Sequence, residues 1–408
     1  MLDHVLRTLS SDTLLACLIP TLLFFSSLYF YGIPSLSELR QNVAEIVTGR
    51  RRTTFGHFSV ERAALSYQQY AKLSRNELAT MRASYAKLGR AHKRVGYDLG
   101  YTAKLNRLQE ATAVNAKVSE GIVQLAQEQF SDRLSYLDWQ GAGTHGDLPR
   151  VRESLKHFMR DWSEEGREER ANIFGPILDV LNEVTAPGRR GMRVLVPGSG
   201  LGRLAWEISN AGFAVTANEL SFFMNLAFRF LLSEKTTQRV NQHTLQPYAS
   251  WFSHQRTIDA LFRSVNFPDA LPRLSRNLEL AECDFLTLRP PSPLQAGDLV
   301  GYDFVVTLFF IDTSLNIIET LEHIHGLLKP GGSWINLGPL LWTGGGQASL
   351  ELSLEELLRL ADIVGFDIAA DADGPRRRRM IECEYTADRA AMMRWLYQAE
   401  FWVATKVR

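Results

Sequence analysis

An apolar run that empties into three closely spaced glycines constrains this chain more than any other feature. In MRVLVPGSGLGRLAWEI, Gly198, Gly200 and Gly202 stand between a strand-like segment and a helix-like one. Such a turn lets the backbone approach a ligand at the carboxyl end of a parallel strand. The spacing is G-x-G-x-G, without the G-x-G-x-x-G register that brings a helix amino terminus onto a pyrophosphate, so a dinucleotide is disfavoured and a nucleoside without phosphate remains. Glu219 closes FAVTANE twenty-one residues after Gly198, about where doubly wound folds carry the acid that holds ribose hydroxyls.

The texture around this turn predicts an α/β fold. After Pro149, short runs of Val, Leu, Ile and Phe alternate with helical patterns, the signature of a sheet with crossover helices. Strands are expected at 193–196, 214–217, 278–282, 303–310 and 333–337, with further strand material at 380–385 and 401–405. Between Pro34 and Pro149 there is no proline, and Leu78, Met81, Tyr85, Leu88 and Val95 recur at helical spacing. The cations among them read as the solvated face of a helical hairpin, because acids and small polar residues are interleaved. The expected organisation is a candidate anchor at 1–34, a helical region at 35–148 and an α/β domain at 149–408.

Composition narrows the function. Lys plus Arg equals Asp plus Glu at 45 each, so no global basic footprint recommends nucleic acid as a partner. Three dispersed cysteines, Cys17, Cys283 and Cys383, argue against a disulfide framework or a structural zinc site and for a reducing compartment. His323 and His325 are two apart on a predicted helix and face different ways, which is wrong for a metal pair; no metal site is expected. Residues 13–33 carry no charge over 21 positions, about the length that crosses a hydrocarbon core as a helix. Arg40 and Arg50 to Arg52 follow that stretch, so the positive-inside rule puts the bulk of the chain on the cytoplasmic side of a membrane. The alternative is a soluble protein of the cytosol or nucleus.

The stretch VVTLFFIDTSLN runs through apolar residues and stops on Asp312, where a buried strand should emerge. Capping of the next helix is the plain reading, since Asp is a favoured N-cap and TSLNIIETLEHI is helical in pattern. Asp284, in AECDF, ends the third expected strand, where its carboxylate can accept from an adenine amino group with Phe285 beside the ring; an ordinary turn residue is the competing reading. Asn336, in WINLGP, reads equally as a strand-end turn residue. Arg376 to Arg379 form a basic loop run, by default solvated and otherwise suited to anionic lipid.

LLKPGGSWINLGPL adds a helix end, a Pro-Gly-Gly turn and a strand, the arrangement that precedes the fifth strand of Rossmann-like S-adenosylmethionine-dependent methyltransferases. HFMRDWSEEGREER, VPGSGLGRLAWEISNAGF, NELSFFMNLAFRFLL, FFIDTSLNIIETLEHIHGLLKPGGSWINLGPLL and ELSLEEL together resemble the carnosine N-methyltransferase family over roughly 150–408. The resemblance implies a seven-stranded class I methyltransferase domain with a helical N-terminal region, S-adenosylmethionine as cofactor and a homodimer. It implies cofactor contacts at Gly198, Gly200, Glu219, Asp284 and Phe285, and at Arg160, whose guanidinium suits a methionyl carboxylate. His157 stands where the pattern carries glutamine, and Leu308 where it carries cysteine.

Asp312 matches the acid that meets the substrate imidazole. An imidazole has a pKa of about 6.5, so near neutrality one ring nitrogen is already nucleophilic. A carboxylate that accepts the other N–H fixes the tautomer, aims the lone pair and stabilises the imidazolium that forms. Tyr385 and Tyr397 match tyrosines of the dipeptide pocket, Trp395 replaces another aromatic, and Thr343 stands where the pattern has a substrate-touching histidine. The expected activity is N-methylation of the carnosine imidazole to give anserine. A different histidine-containing peptide or protein histidine is the alternative substrate, and a membrane-tethered scaffold without catalysis is the alternative class.

Overall fold

Short apolar strands and amphipathic helices alternate along most of the chain. The computed structural model describes residues 55–137, 139, 147–292, 299–368 and 374–407. The strands are β1 (Arg193–Pro197), β2 (Ala214–Asn218), β3 (His243–Leu245), β4 (Val265–Phe267), β5 (Leu278–Ala281), β6 (Tyr302–Leu308), β7 (Leu328–Gly338), β8 (Phe366–Ile368), β9 (Arg379–Cys383) and β10 (Tyr397–Lys406). One sheet runs in the order β5-β2-β1-β6-β7-β10-β8, with β9 also on β10. The pairs β1/β2, β2/β5, β1/β6 and β6/β7 are parallel, and β10 runs antiparallel to β7, β8 and β9. This is the Rossmann-like α/β architecture of class I methyltransferases. β3 and β4 form a separate two-stranded ribbon.

Burial explains why the central strands read as apolar runs: Val194, Leu195 and Val196 in β1, and Phe304, Val305 and Val306 in β6, lie at or below 5% exposure. Parallel strands covered on both faces carry apolar side chains in both directions. Truncating Leu195 to Ala would cost about 2–5 kcal/mol through lost burial and the cavity left behind.

The strand order reverses between β1 and β6. A crevice at such a switch point, outside the carboxyl ends of the strands, is where open α/β sheets bind ligands. The turn after β1 and the turn after β6 flank it.

The main helices are α1 (Val60–Ala86), α2 (Arg90–Asp98), α3 (Tyr101–Gln129), α4 (Leu148–Trp162), α5 (Arg167–Asn182), α6 (Arg203–Asn210), α7 (Phe222–Leu232), α8 (Ile317–Leu327) and α9 (Leu354–Val364). α1 starts at Ser59, whose side chain accepts the Arg62 N–H, and α9 starts in a capping box between Ser353 and Glu356. The helical spacing expected through Val95 is interrupted at 87–89, and α2 buries none of its residues. α1 and α3 pack along each other and onto α7, and the Tyr67 hydroxyl donates to the Phe223 carbonyl at 2.7 Å. From Gly56 onward the chain forms one compact unit. The 13–33 stretch lies outside the described residues, and no helix among the described residues is long and apolar enough to cross a membrane.

Candidate active site

Gly198 follows β1 with φ +62°, and a Cβ placed there would come within 2.6 Å of the Phe310 ring. Two constraints thus coincide at one residue: a left-handed backbone and the close approach of an aromatic ring from the turn after β6. The turns after β1 and β6 touch, as the switch-point geometry requires. Phe310 also meets Phe285 edge-on, with ring centroids 5.3 Å apart, so the ends of β1, β5 and β6 converge.

Glu219 sits at the end of β2, and its carboxylate is pinned to the glycine turn. Oε2 accepts the Gly200 N–H at 3.0 Å and Oε1 accepts the Ser221 N–H at 2.8 Å. Burial pushes its pKa up while these N–H groups pull it down, and burial prevails. Each carboxylate oxygen has a second lone-pair direction with which to accept from a hydroxyl. Asn218, immediately before, donates to the carbonyls of Ala281 and Cys283 at 2.9 and 2.8 Å, fixing the end of β5. Beyond it, Asp284 is exposed and its Oδ1 accepts the Leu286 N–H at 3.0 Å. The turn role is therefore present at Asp284, while Phe285 is buried at 7% exposure.

α4 brings two more side chains to the same corner. The indole N–H of Trp162 donates to the Leu201 carbonyl at 2.9 Å, tying the end of α4 to the glycine turn. Arg160 is buried and forks onto Asp161, Nε to Oδ1 at 2.6 Å and Nη2 to Oδ2 at 2.9 Å. Its Nη1 is buried without a hydrogen-bond partner, and its Nη2 lies 4.0 Å from the Cβ position of Gly200. Burial opposes the guanidinium charge, and Asp161, Tyr385 and Glu169 together more than offset it. Asp161 escaped the sequence reading, although an Arg-Asp pair in MRDW was a usable signal. His157, 4.0 Å from the Gly200 Cβ position, has its pKa lowered to about 4, first by burial and then by Arg160; it is a neutral imidazole. Leu308 ends β6 beside Leu337 of β7 and offers only packing and backbone.

The turn after β6 holds the acid. Asp312 lies in the short 3-10 turn Ile311–Thr313, 4% exposed. It does not cap α8: that helix begins at Ile317, and its N-cap is Asn316, whose side chain accepts the Glu319 N–H. The Asp312 Oδ2 instead accepts the Leu341 N–H at 3.0 Å, and its carbonyl accepts the Thr343 N–H at 2.9 Å. Burial raises its pKa, opposed by the Leu341 N–H. Thr343 is exposed in the loop that grips Asp312. Asn336 is part of the sheet interior, accepting from the Thr307 hydroxyl at 2.8 Å and donating to the Glu400 carbonyl at 3.3 Å.

Tyr385 is where the pieces meet. One contact is Phe309, stacked on it at 4.4 Å with an interplanar angle of 25°, and another is the Arg160 guanidinium, 4.3 Å from its ring centroid. The His157 ring meets it edge-on at 6.1 Å. Glu169 of α5 fixes the following residues by accepting the N–H groups of Thr386 and Ala387 at 2.7 and 3.2 Å. Phe309 adopts φ +50°, rare for a bulky residue and costing about 1–3 kcal/mol of backbone strain. Nothing in the sequence signals it.

Tyr385, Trp395 and Tyr397 line a cavity of about 370 Å³. Trp395 is 69% exposed at its edge. Asp312 does not line this cavity; Phe309, three residues before it, stacks on Tyr385 and meets Tyr397 edge-on at 5.4 Å. Of the basic run at 376–379, Arg376 pairs with Glu183 and Arg378 with Glu400. Among the described residues no cluster of three or more His, Cys, Asp or Glu is arranged for a metal.

The residues fit an S-adenosylmethionine site on the structure's own terms: a buried unpartnered guanidinium nitrogen for a carboxylate, a pinned acid for hydroxyls and a turn in which backbone stands open. A family model described as carnosine N-methyltransferase matches residues 138–408. The protein named carnosine N-methyltransferase in Schizosaccharomyces pombe is 33% identical over 359 residues, covering 83% of this chain and 92% of that one. The mouse protein of the same name is 33% identical over 271 residues, 64% of each chain. A solved phosphoethanolamine N-methyltransferase 2 of Haemonchus contortus is 17% identical with a TM-score of 0.33, over 59% of this chain and 44% of its own. By the family match and by 33% identity over 83% of its length, the chain belongs to the carnosine N-methyltransferase family.

Proposed function

We propose that this chain N-methylates the imidazole of carnosine with S-adenosylmethionine, giving anserine, and that Asp312 is the catalytic residue. The observation that carries this reading is a buried carboxylate held by the Leu341 N–H two residues beyond Phe310, whose ring lies against Gly198. S-adenosylmethionine supplies an electrophilic methyl on a sulfonium. Gly198, Gly200, Glu219, Asp284, Phe285 and Arg160 hold it in this reading, with His157 and Leu308 closing the site by packing.

Asp312 accepts the N–H of one imidazole nitrogen. That contact selects the tautomer, turns the other nitrogen's lone pair toward the methyl and stabilises the positive charge that develops on the ring; S-adenosylhomocysteine would be the leaving group, and the N–H proton of the methylated ring would pass by way of Asp312 to solvent, leaving neutral anserine. A preorganised carboxylate in a partly dry site does this better than water, because its orientation is fixed beforehand. No stronger base is needed, since imidazole near neutrality is largely uncharged. Tyr385, Trp395 and Tyr397 serve as the walls around the rest of the dipeptide.

One observation favours a second substrate. Thr343, exposed beside Asp312, has neither the reach nor the charge of a histidine, which suits another histidine-containing peptide. The test is methyl transfer from labelled S-adenosylmethionine to carnosine, homocarnosine and Gly-His. Carnosine as the best dipeptide supports the proposal, and transfer confined to a protein fraction overturns it. An anchor at 13–33 and a homodimer belong to the same reading; carbonate-resistant membrane association lost on removing residues 1–34, and a dimer mass by light scattering, are their checks.

A further inference from the structure

Among the described residues, one cation on the wall of the cavity beside Tyr385 is poorly matched by the fold. Other charged groups on its wall are paired: Asp388 with Arg263 at 2.8 Å and with Gln255 at 3.0 Å, and Arg394 with Glu384 at 2.6 Å. Lys156, on α4, differs. Its nearest carboxylate is Glu153 at 3.7 Å, well beyond the roughly 2.7–2.9 Å of a strong charge-assisted hydrogen bond. Its ammonium lies over the Trp251 ring, 4.0 Å from the centroid, a contact that attracts the cation without supplying a counter-charge.

The Lys156 side chain is nonetheless just 13% exposed, whereas Glu153 is 45% exposed. A secluded ammonium with one long ion pair, to Glu153, and with Asp388, already bonded to Arg263, acting on it only from farther off, wants an anion. In line with that, burial pulls its pKa down despite Glu153.

We propose that Lys156 is a specificity-determining residue that binds the carboxylate of the dipeptide substrate, an inference that rests on the function proposed above. Tyr385 is the connecting wall. Its ring borders the cavity and stacks on Phe309, three residues before Asp312. A dipeptide whose imidazole meets Asp312 passes Tyr385 and presents its main-chain end to a cavity of about 370 Å³, where Lys156 is the loosely held cation. Glu153 acts as a positioning residue that keeps the ammonium at the wall until the substrate carboxylate replaces it.

The discriminating probe is β-alanylhistamine, which is carnosine without its carboxylate. The wild-type protein is expected to prefer carnosine in kcat/KM by about tenfold to a hundredfold, the range of one charge-assisted hydrogen bond. Lys156→Met removes that preference by raising KM for carnosine, with kcat within about threefold and β-alanylhistamine kinetics unchanged, the signature of lost uniform binding. Lys156→Arg restores part of the preference. Calorimetric binding of S-adenosylhomocysteine confirms that each variant is folded.

Wild-type transfer to both compounds with equal kcat/KM, or a preference that survives in Lys156→Met, overturns the inference and leaves the proposed function standing. Absence of wild-type transfer to either compound sinks both.

Discussion

Leu341 donates its backbone N–H to the Asp312 carboxylate at 3.0 Å, so the acid at the end of β6 is held by the loop that follows β7. This contact separates the two readings of Asp312, because the helix that it would cap in the plainer reading is capped by Asn316. A buried acid released from capping and oriented by a neighbouring strand's loop has the character of a functional group.

The pH dependence follows from that environment. Burial holds the Asp312 carboxyl above the ordinary carboxylate range, and only the ionised form accepts the imidazole N–H. Because this is a property of the free enzyme, kcat/KM should therefore fall as pH drops through an apparent pKa above the usual Asp value. In kcat/KM the free substrate adds a second loss on the acid side near pH 6.5, where its imidazole becomes protonated and loses its nucleophilic nitrogen. Steady-state profiles between pH 4.5 and 8 check both limbs.

Gly198→Ala should damage the cofactor side. The added methyl meets the Phe310 ring, and the backbone stands at φ +62°, so strain of about 1–3 kcal/mol is expected from the backbone alone. The expected outcome is a lower Tm together with at least tenfold weaker S-adenosylhomocysteine binding by calorimetry. Phe310→Ala in the same chain should recover part of the stability loss but not wild-type turnover.

His157 gives a stability signature. Its pKa of about 4 lies below the ordinary 6.5, so between those values the unfolded chain binds the extra proton and the folded one does not. Stability from this group is complete above pH 6.5 and declines as pH falls toward 4, by about 2–3 kcal/mol at most. His157→Gln, neutral at all pH values, should flatten that part of the curve. Urea unfolding at pH 7 and pH 4.5 for both proteins measures the difference.

Arg160→Lys should weaken cofactor binding more than it weakens folding. A lysine keeps the charge, but it has no planar fork with which to hold Asp161 through two nitrogens and still present a third. Titration with S-adenosylhomocysteine is expected to show about a tenfold or greater loss, the scale of one charge-assisted hydrogen bond.

Much of this arrangement was legible in the sequence where local chemistry determines it. The runs at Val194 to Val196 and Phe304 to Val306 read as strands because both faces of a parallel sheet are apolar, and the three glycines read as a ligand turn because that backbone tolerates few other residues. The three-residue strand β8, Phe366–Ile368, escaped because it is too short for a period, and the β3–β4 ribbon escaped for the same reason. Asn316 holds the cap that the competing reading gave to Asp312, since both residue types serve there and only tertiary placement decides. Phe309 and the Arg160–Tyr385 contact, which join segments far apart in the chain, carry no local signal. The cavity's Lys156 and Trp251 come from separate elements, and neither residue is distinctive alone.

The central claim is that Asp312 acts on the substrate ring rather than on the fold or the cofactor. Its most direct test is Asp312→Asn, which keeps an oxygen to accept the Leu341 N–H while removing the charge. Turnover of carnosine should fall by about a hundredfold or more, with S-adenosylhomocysteine affinity within a few-fold of wild type by calorimetry. Turnover near the wild-type level in a variant that still binds the cofactor product would contradict the account.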